Sequence, residues 1–103
     1  GVFCDSQDRV EEIDLGDNNV AGVIPEEITF LPMLRELDLS WNSLSGTIPY
    51  QIGNLTNLQQ LNVSGNILSG SISSQISTLS SLRGLVFSSN SLSGTLLSEI
   101  GNM

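Results

Sequence analysis

Apolar positions along this chain fall into a register that repeats every 24 residues. Four ladders mark the first half of each unit: Val10/Leu34/Leu58/Leu82, Ile13/Leu37/Leu61/Leu85, Leu15/Leu39/Val63/Phe87 and Val20/Leu44/Leu68/Leu92. Three more complete it: Ile24/Ile48/Ile72/Leu96, Ile28/Ile52/Ile76/Ile100 and Leu31/Leu55/Leu79/Met103. From Glu12 to Asp17, and in each copy, apolar and polar residues alternate, which predicts a short strand with one buried face. A period between about 20 and 50 residues predicts a solenoid, because each unit buries its apolar edge only by stacking on a neighbour. Stacked copies of the strand then form a parallel sheet along one side of the coil.

Two further ladders refine the unit. Asparagines recur at Asn18, Asn42, Asn66 and Asn90, inside the apolar pattern. A sharp turn after the strand leaves backbone N–H and C=O groups pointing inward, and a short amide carries both donors and an acceptor to satisfy them. This ladder is expected to be structural. Glycines recur at Gly22, Gly46, Gly70 and Gly94, and Pro25 and Pro49 follow three residues after the first two. Glycine permits an otherwise strained backbone and proline fixes an extended one. Ser73 and Leu97 replace the proline in the later copies, so a looser outer turn is expected there.

The run Leu34-Arg35-Glu36-Leu37-Asp38-Leu39-Ser40-Trp41-Asn42-Ser43-Leu44-Ser45-Gly46-Thr47-Ile48-Pro49 resembles the plant-type leucine-rich repeat, LxxLxLxxNxLSGxIP. The likeness extends over residues 10–103. It implies an α/β-type solenoid: a right-handed coil of four 24-residue repeats (10–33, 34–57, 58–81 and 82–103). The parallel sheet would lie on the concave side and irregular or 3₁₀ turns on the convex side. The Gly-x-Ile-Pro segment would add a second short strand. Residues 1–9 resemble the end of an amino-terminal cap, which usually reads Cys-x-Trp-x-Gly-Val-x-Cys. Here the run is Gly1-Val2-Phe3-Cys4, so the resemblance gives Cys4 a disulfide partner outside the chain, with a free buried thiol as the alternative. Both ends of the chain read as cut, the last repeat being open at its carboxyl-terminal end.

Charge narrows the function. Acidic residues outnumber basic ones 11 to 3, for a net charge of -8. That balance argues against nucleic acid and against direct contact with an anionic membrane surface. With neither histidine nor lysine in the chain, imidazole-based triads and Schiff-base chemistry are excluded, and no catalytic, metal or cofactor site is expected.

The outward positions of the strands form their own ladders: Glu12/Glu36/Gln60/Gly84, Asp14/Asp38/Asn62/Val86, Gly16/Ser40/Ser64/Ser88 and Asp17/Trp41/Gly65/Ser89. Residues free of packing constraints reflect solubility or partner choice. Glu12, Asp14, Asp17, Glu36 and Asp38 beside Trp41, with Gln60 and Asn62, would suit a basic or amine-bearing protein or peptide that also carries an apolar element. The competing reading is a solvated acidic face, with Trp41 covering a neighbouring loop. Two glycosylation sequons occur at Asn54 and Asn62; the first falls on an outer loop and the second on the sheet face.

The resemblance implies a non-catalytic recognition module, part of a longer extracellular repeat protein or receptor. Readings of other kinds are a polygalacturonase-inhibitor-like protein, an ice-binding protein and a structural subunit. The serine ladder Gly16/Ser40/Ser64/Ser88 is a faint version of what ice binding would need. Oligomeric state is left open.

Overall fold

The computed structural model describes residues 1–71, 76, 78–88 and 90–93. Expectations placed on Ile72, Ser73, Ser89, Gly94, Leu96, Leu97, Ile100 and Met103 lie outside these residues. Alternating residues form β2 (Val10–Asp14), β4 (Glu36–Asp38), β6 (Gln60–Asn62) and β8 (Gly84–Val86). They pair in parallel, in the order β2-β4-β6-β8, with Ile13, Leu37, Leu61 and Leu85 in one register. The antiparallel strand β1 (Val2–Cys4) pairs with β2 and covers one edge of the sheet.

The strands are shorter than the alternation implied. β2 ends at Asp14 and β4 at Asp38, because the chain turns directly afterwards. The turn residues Asp17 and Trp41 have φ of 57° and 55°, which no strand accommodates. A second set of strands, β3 (Ala21–Val23), β5 (Ser43–Ser45), β7 (Ser69–Ser71) and β9 (Ser91–Ser93), follows each turn. β3 pairs with β5 and β7 with β9. The second strand was expected at Gly-x-Ile-Pro, but β5 precedes Gly46 and β3 and β7 straddle Gly22 and Gly70. The three glycines sit at φ of 102°, 75° and 80°, so the recurring glycine supplies the left-handed residue that each coil needs there. After Pro25 and Pro49 the chain forms 3₁₀ turns, Glu26–Phe30 and Tyr50–Asn54.

The described members of the apolar ladders meet in one continuous spine. Leu34, Leu55, Leu58, Leu68 and Ile76 are wholly shielded from water. The first repeat is less enclosed: Val10, Leu15, Val20, Ile28 and Leu31 are only partly buried, whereas all five of their copies one repeat on are buried. Burial thus comes from stacking, as a quasi-one-dimensional fold requires. Polar staples tie the outer side together: Gln51 donates to Glu26 at 2.6 Å and Asn57 to the Pro32 carbonyl at 2.9 Å.

Candidate functional site

The asparagine ladder joins one repeat to the next. Asn66, buried, donates through Nδ2 to the carbonyls of Leu39, Val63 and Ser64 (2.9, 3.0 and 3.2 Å). Its Oδ1 accepts the Leu44 N–H at 3.0 Å. Asn42 repeats this with Leu15, Leu39 and Ser40 carbonyls and the N–H groups of Asn18 and Val20. Asn90 does so with Val63, Phe87 and Ser88 carbonyls and the Leu68 N–H. Each amide therefore satisfies carbonyls of its own turn and of the preceding repeat, together with a donor there. Asn18 differs. It is exposed, and its Nδ2 reaches only the Gly16 carbonyl of its own turn, at 2.9 Å.

On the solvent side of the sheet, Glu12, Asp14, Glu36, Asp38, Gln60 and Asn62 line one shallow groove with Gly84 and Val86. Strand pairing places Glu12 opposite Glu36 opposite Gln60, and Asp14 opposite Asp38 opposite Asn62. The groove holds about 170 Å³. Small-molecule pockets are usually about 300 Å³ or more, so this is a contact surface rather than a pocket. Glu36, hydrogen-bonded to Glu12 and of like charge, holds the Glu12 carboxyl above the usual carboxylate range. Partial loss of water and the charge of Asp14 push the same way, while Arg35 opposes them. Arg35 itself pairs with Glu11 at 3.0 Å.

Ser40 and Ser64 do not face outward as the alternation implied: both are buried. The chain has already left the sheet at these positions, and each hydroxyl turns back on the polar side chain two residues earlier. Ser40 Oγ donates to Asp38 Oδ1 at 2.6 Å, and Ser64 Oγ to Asn62 Oδ1 at 2.7 Å. The Ser40 and Ser64 N–H groups donate to the same oxygens at 2.9 and 3.2 Å. Asp38 and Asn62 are thus held in fixed orientations. Asp14, with Gly16 in place of the serine, has only a 3.4 Å backbone contact. The Asp-Leu-Ser and Asn-Val-Ser spacing was the sequence signal for this arrangement.

Asp17 and Trp41 lie outside the groove, in the turn beyond the strand ends. Trp41 is 60% exposed. Its indole lies against Gly65, where an added Cβ would collide with Cδ2 and Cε3 of the ring. Gly65 occupies the same position of the next repeat and has φ of 70°, comfortable for glycine, whereas tryptophan at 55° pays about 1–2 kcal/mol of backbone strain. Four other large apolar side chains, Val23, Phe30, Tyr50 and Ile67, are as exposed as Trp41 and, like it, lie outside the five-stranded sheet. Sequence reasoning did not single them out, because their positions carry no repeating pattern. Cys4 is exposed, which removes the alternative of a buried thiol. Asn54, at the end of a 3₁₀ turn, is exposed, and Asn62 lies in the groove.

A stack of strand-turn units with an asparagine at every turn is a solenoid repeat protein. A family model for the leucine-rich repeat matches residues 8–68, and a second matches residues 81–103. The chain belongs to the leucine-rich repeat family. Among solved structures it is similar to that of PEPR1-AtPEP1, at 36% identity and a TM-score of 0.91, covering 97% of this chain and 14% of that one. It is similar to the plant peptide hormone receptor RGFR1 in complex with RGF2, at 35% identity and a TM-score of 0.88, covering 98% and 19%. A plant ice-binding protein matches at 33% identity and a TM-score of 0.79, covering 98% and 41%. The chain therefore spans less than a fifth of the length of the first two. Nothing among curated proteins matches the sequence.

Proposed function

We propose that this chain is a non-catalytic module of an extracellular leucine-rich repeat protein, and that it recognises a protein or peptide through the face of its parallel sheet. The observation that carries the reading is the contrast within one sheet. Inward rungs stay aliphatic, while outward rungs change from Glu12 and Glu36 to Gln60 and Gly84, and from Asp14 and Asp38 to Asn62 and Val86. A merely solvated face has no reason to fix its side chains, yet buried hydroxyls hold Asp38 and Asn62. The likeness to a peptide hormone receptor supports the same reading. The acidic end of the face gives a field that steers basic partners and weakens with salt.

Four strands at about 4.8 Å spacing offer a face of a few hundred Å², short of the roughly 800 Å² per partner of a standard stable interface. Binding by this chain alone is weak, and repeats of a longer stack supply the rest. The likeness to an ice-binding protein favours a second reading. The row Gly16/Ser40/Ser64/Ser88 does not support it, because Ser40 and Ser64 are buried and hydrogen-bonded.

Selection of an unbiased displayed peptide library on the chain tests the proposal. Selected peptides should lose binding on Trp41→Ala by about tenfold or more, as truncation of an interface anchor does. Glu36→Gln/Asp38→Asn should slow association, most at low salt. Peptides that bind both variants as they bind the original chain would place recognition elsewhere.

A further inference from the structure

We propose that Trp41, laid on Gly65 and one rung from Asp17, is a stacking platform for the guanidinium of an arginine in the partner. This inference rests on the sheet face being the recognition surface and adds what that surface reads. It starts from a misfit between residue and position. Gly65 shows that the site suits glycine, and Asp17 is a residue that tolerates left-handed backbone. A tryptophan there is disfavoured, and its exposure means that burial in the core does not compensate. Strain kept at an exposed residue points to a functional constraint.

The placement of the ring is fixed from below. Asp17 N–H donates to the Ser40 carbonyl at 2.8 Å, Trp41 N–H to Ser64 at 2.8 Å, and Gly65 N–H to Ser88 at 3.0 Å. Asp17, Trp41 and Gly65 are thereby consecutive rungs, about 4.8 Å apart by strand spacing. The indole covers Gly65, whose missing side chain makes room for it, and the residue remains 60% exposed. Gly65 is accordingly a positioning residue. A cation over an indole within about 6 Å is attracted by the ring's electron-rich face. Of the two common cations, the guanidinium is planar and weakly hydrated, so it stacks while its edge pairs with a carboxylate. Asp17 provides that carboxylate one rung away, and the net charge of -8 favours a cation. An apolar or proline side chain would use the ring and leave Asp17 without a role.

Trp41 is the chain's one tryptophan, so intrinsic fluorescence reports this ring alone. The probes are acetyl-Gly-Arg-Arg-Gly-amide and its lysine, citrulline and proline counterparts, titrated at low salt. The arginine peptide should shift Trp41 emission saturably, the lysine peptide should bind more weakly, and the other two should bind least. Asp17→Asn should weaken the arginine peptide about two- to fivefold, the range for an exposed cation–π contact with its paired charge removed. Gly65→Ala should displace the ring and weaken it further; if that variant melts early, Asp17→Asn alone decides. Equal binding of the arginine and citrulline peptides, or an unchanged affinity with Asp17→Asn, overturns the arginine assignment. Library-selected peptides separate the two levels. Peptides without arginine that still depend on Trp41 sink this inference and leave the recognition face standing. Peptides that depend on Glu36 and Asp38 but not on Trp41 likewise sink only this inference; if they depend on neither, both fall.

Discussion

The two sides of the parallel sheet follow opposite rules. Facing inward, Ile13, Leu37, Leu61 and Leu85 share one register and one chemistry. Facing outward in the next position, Asp14, Asp38, Asn62 and Val86 share the register but not the chemistry. Stacking explains the first pattern, since a solenoid unit has no core of its own and each rung must fit the rung before it. Nothing in the fold demands the second. The difference separates what this chain needs in order to stand from what it can use to recognise.

The comparison breaks if inward and outward substitutions cost alike. Leu58→Ala, at a site wholly shielded from water, should lower stability by about 2–5 kcal/mol, the range for deleting a buried leucine side chain. Leu15→Ala, in the partly buried first repeat, should cost clearly less in the same denaturant titration. Asn66→Leu strands the Leu44 N–H and takes one donor from each of three carbonyls that keep another partner, and should cost about 1–3 kcal/mol. Asn18→Leu, whose amide reaches only its own turn, should stay within about 0.5 kcal/mol in thermal melts. Equal melting of the two asparagine variants would contradict the inter-repeat role given to this ladder.

The smallest effect belongs to the outward face and has a sign that depends on pH. Glu12 has its folded pKa raised above the ordinary 4.5, chiefly by Glu36. A raised pKa contributes stability below the unfolded value and loses it as pH rises through the folded one. Glu12→Gln removes the like-charge contact, so it should raise the thermal midpoint slightly near about pH 7 and give no gain near about pH 3.5. A gain at both pH values would mean that the Glu12–Glu36 contact is not its source.

Most of the fold was legible in the sequence because stacking repeats one requirement at every rung. Ile13, Leu37 and Leu61 announce the sheet, and Gly22, Gly46 and Gly70 announce the left-handed residue. What failed was alternation carried too far. It placed Ser40 and Ser64 outward, whereas the chain turns after Asp38 and Asn62 and brings both hydroxyls under the sheet face. The candidate groove was half legible: Glu12, Asp14, Glu36, Asp38, Gln60 and Asn62 do line it together, but Asp17 and Trp41 stand beyond it on a left-handed turn. The resting place of Trp41 on Gly65 depends on a backbone angle and an absent side chain, and neither leaves a periodic trace.

Amide hydrogen exchange on the chain, with and without a library-selected peptide, tests the central claim most directly. Bound peptide should slow exchange in β4, in β6 and at Trp41 and Gly65, and leave the 3₁₀ turns Glu26–Phe30 and Tyr50–Asn54 unchanged. Protection confined to those turns, where Phe30 and Tyr50 are exposed, would move recognition off the sheet face and contradict the account.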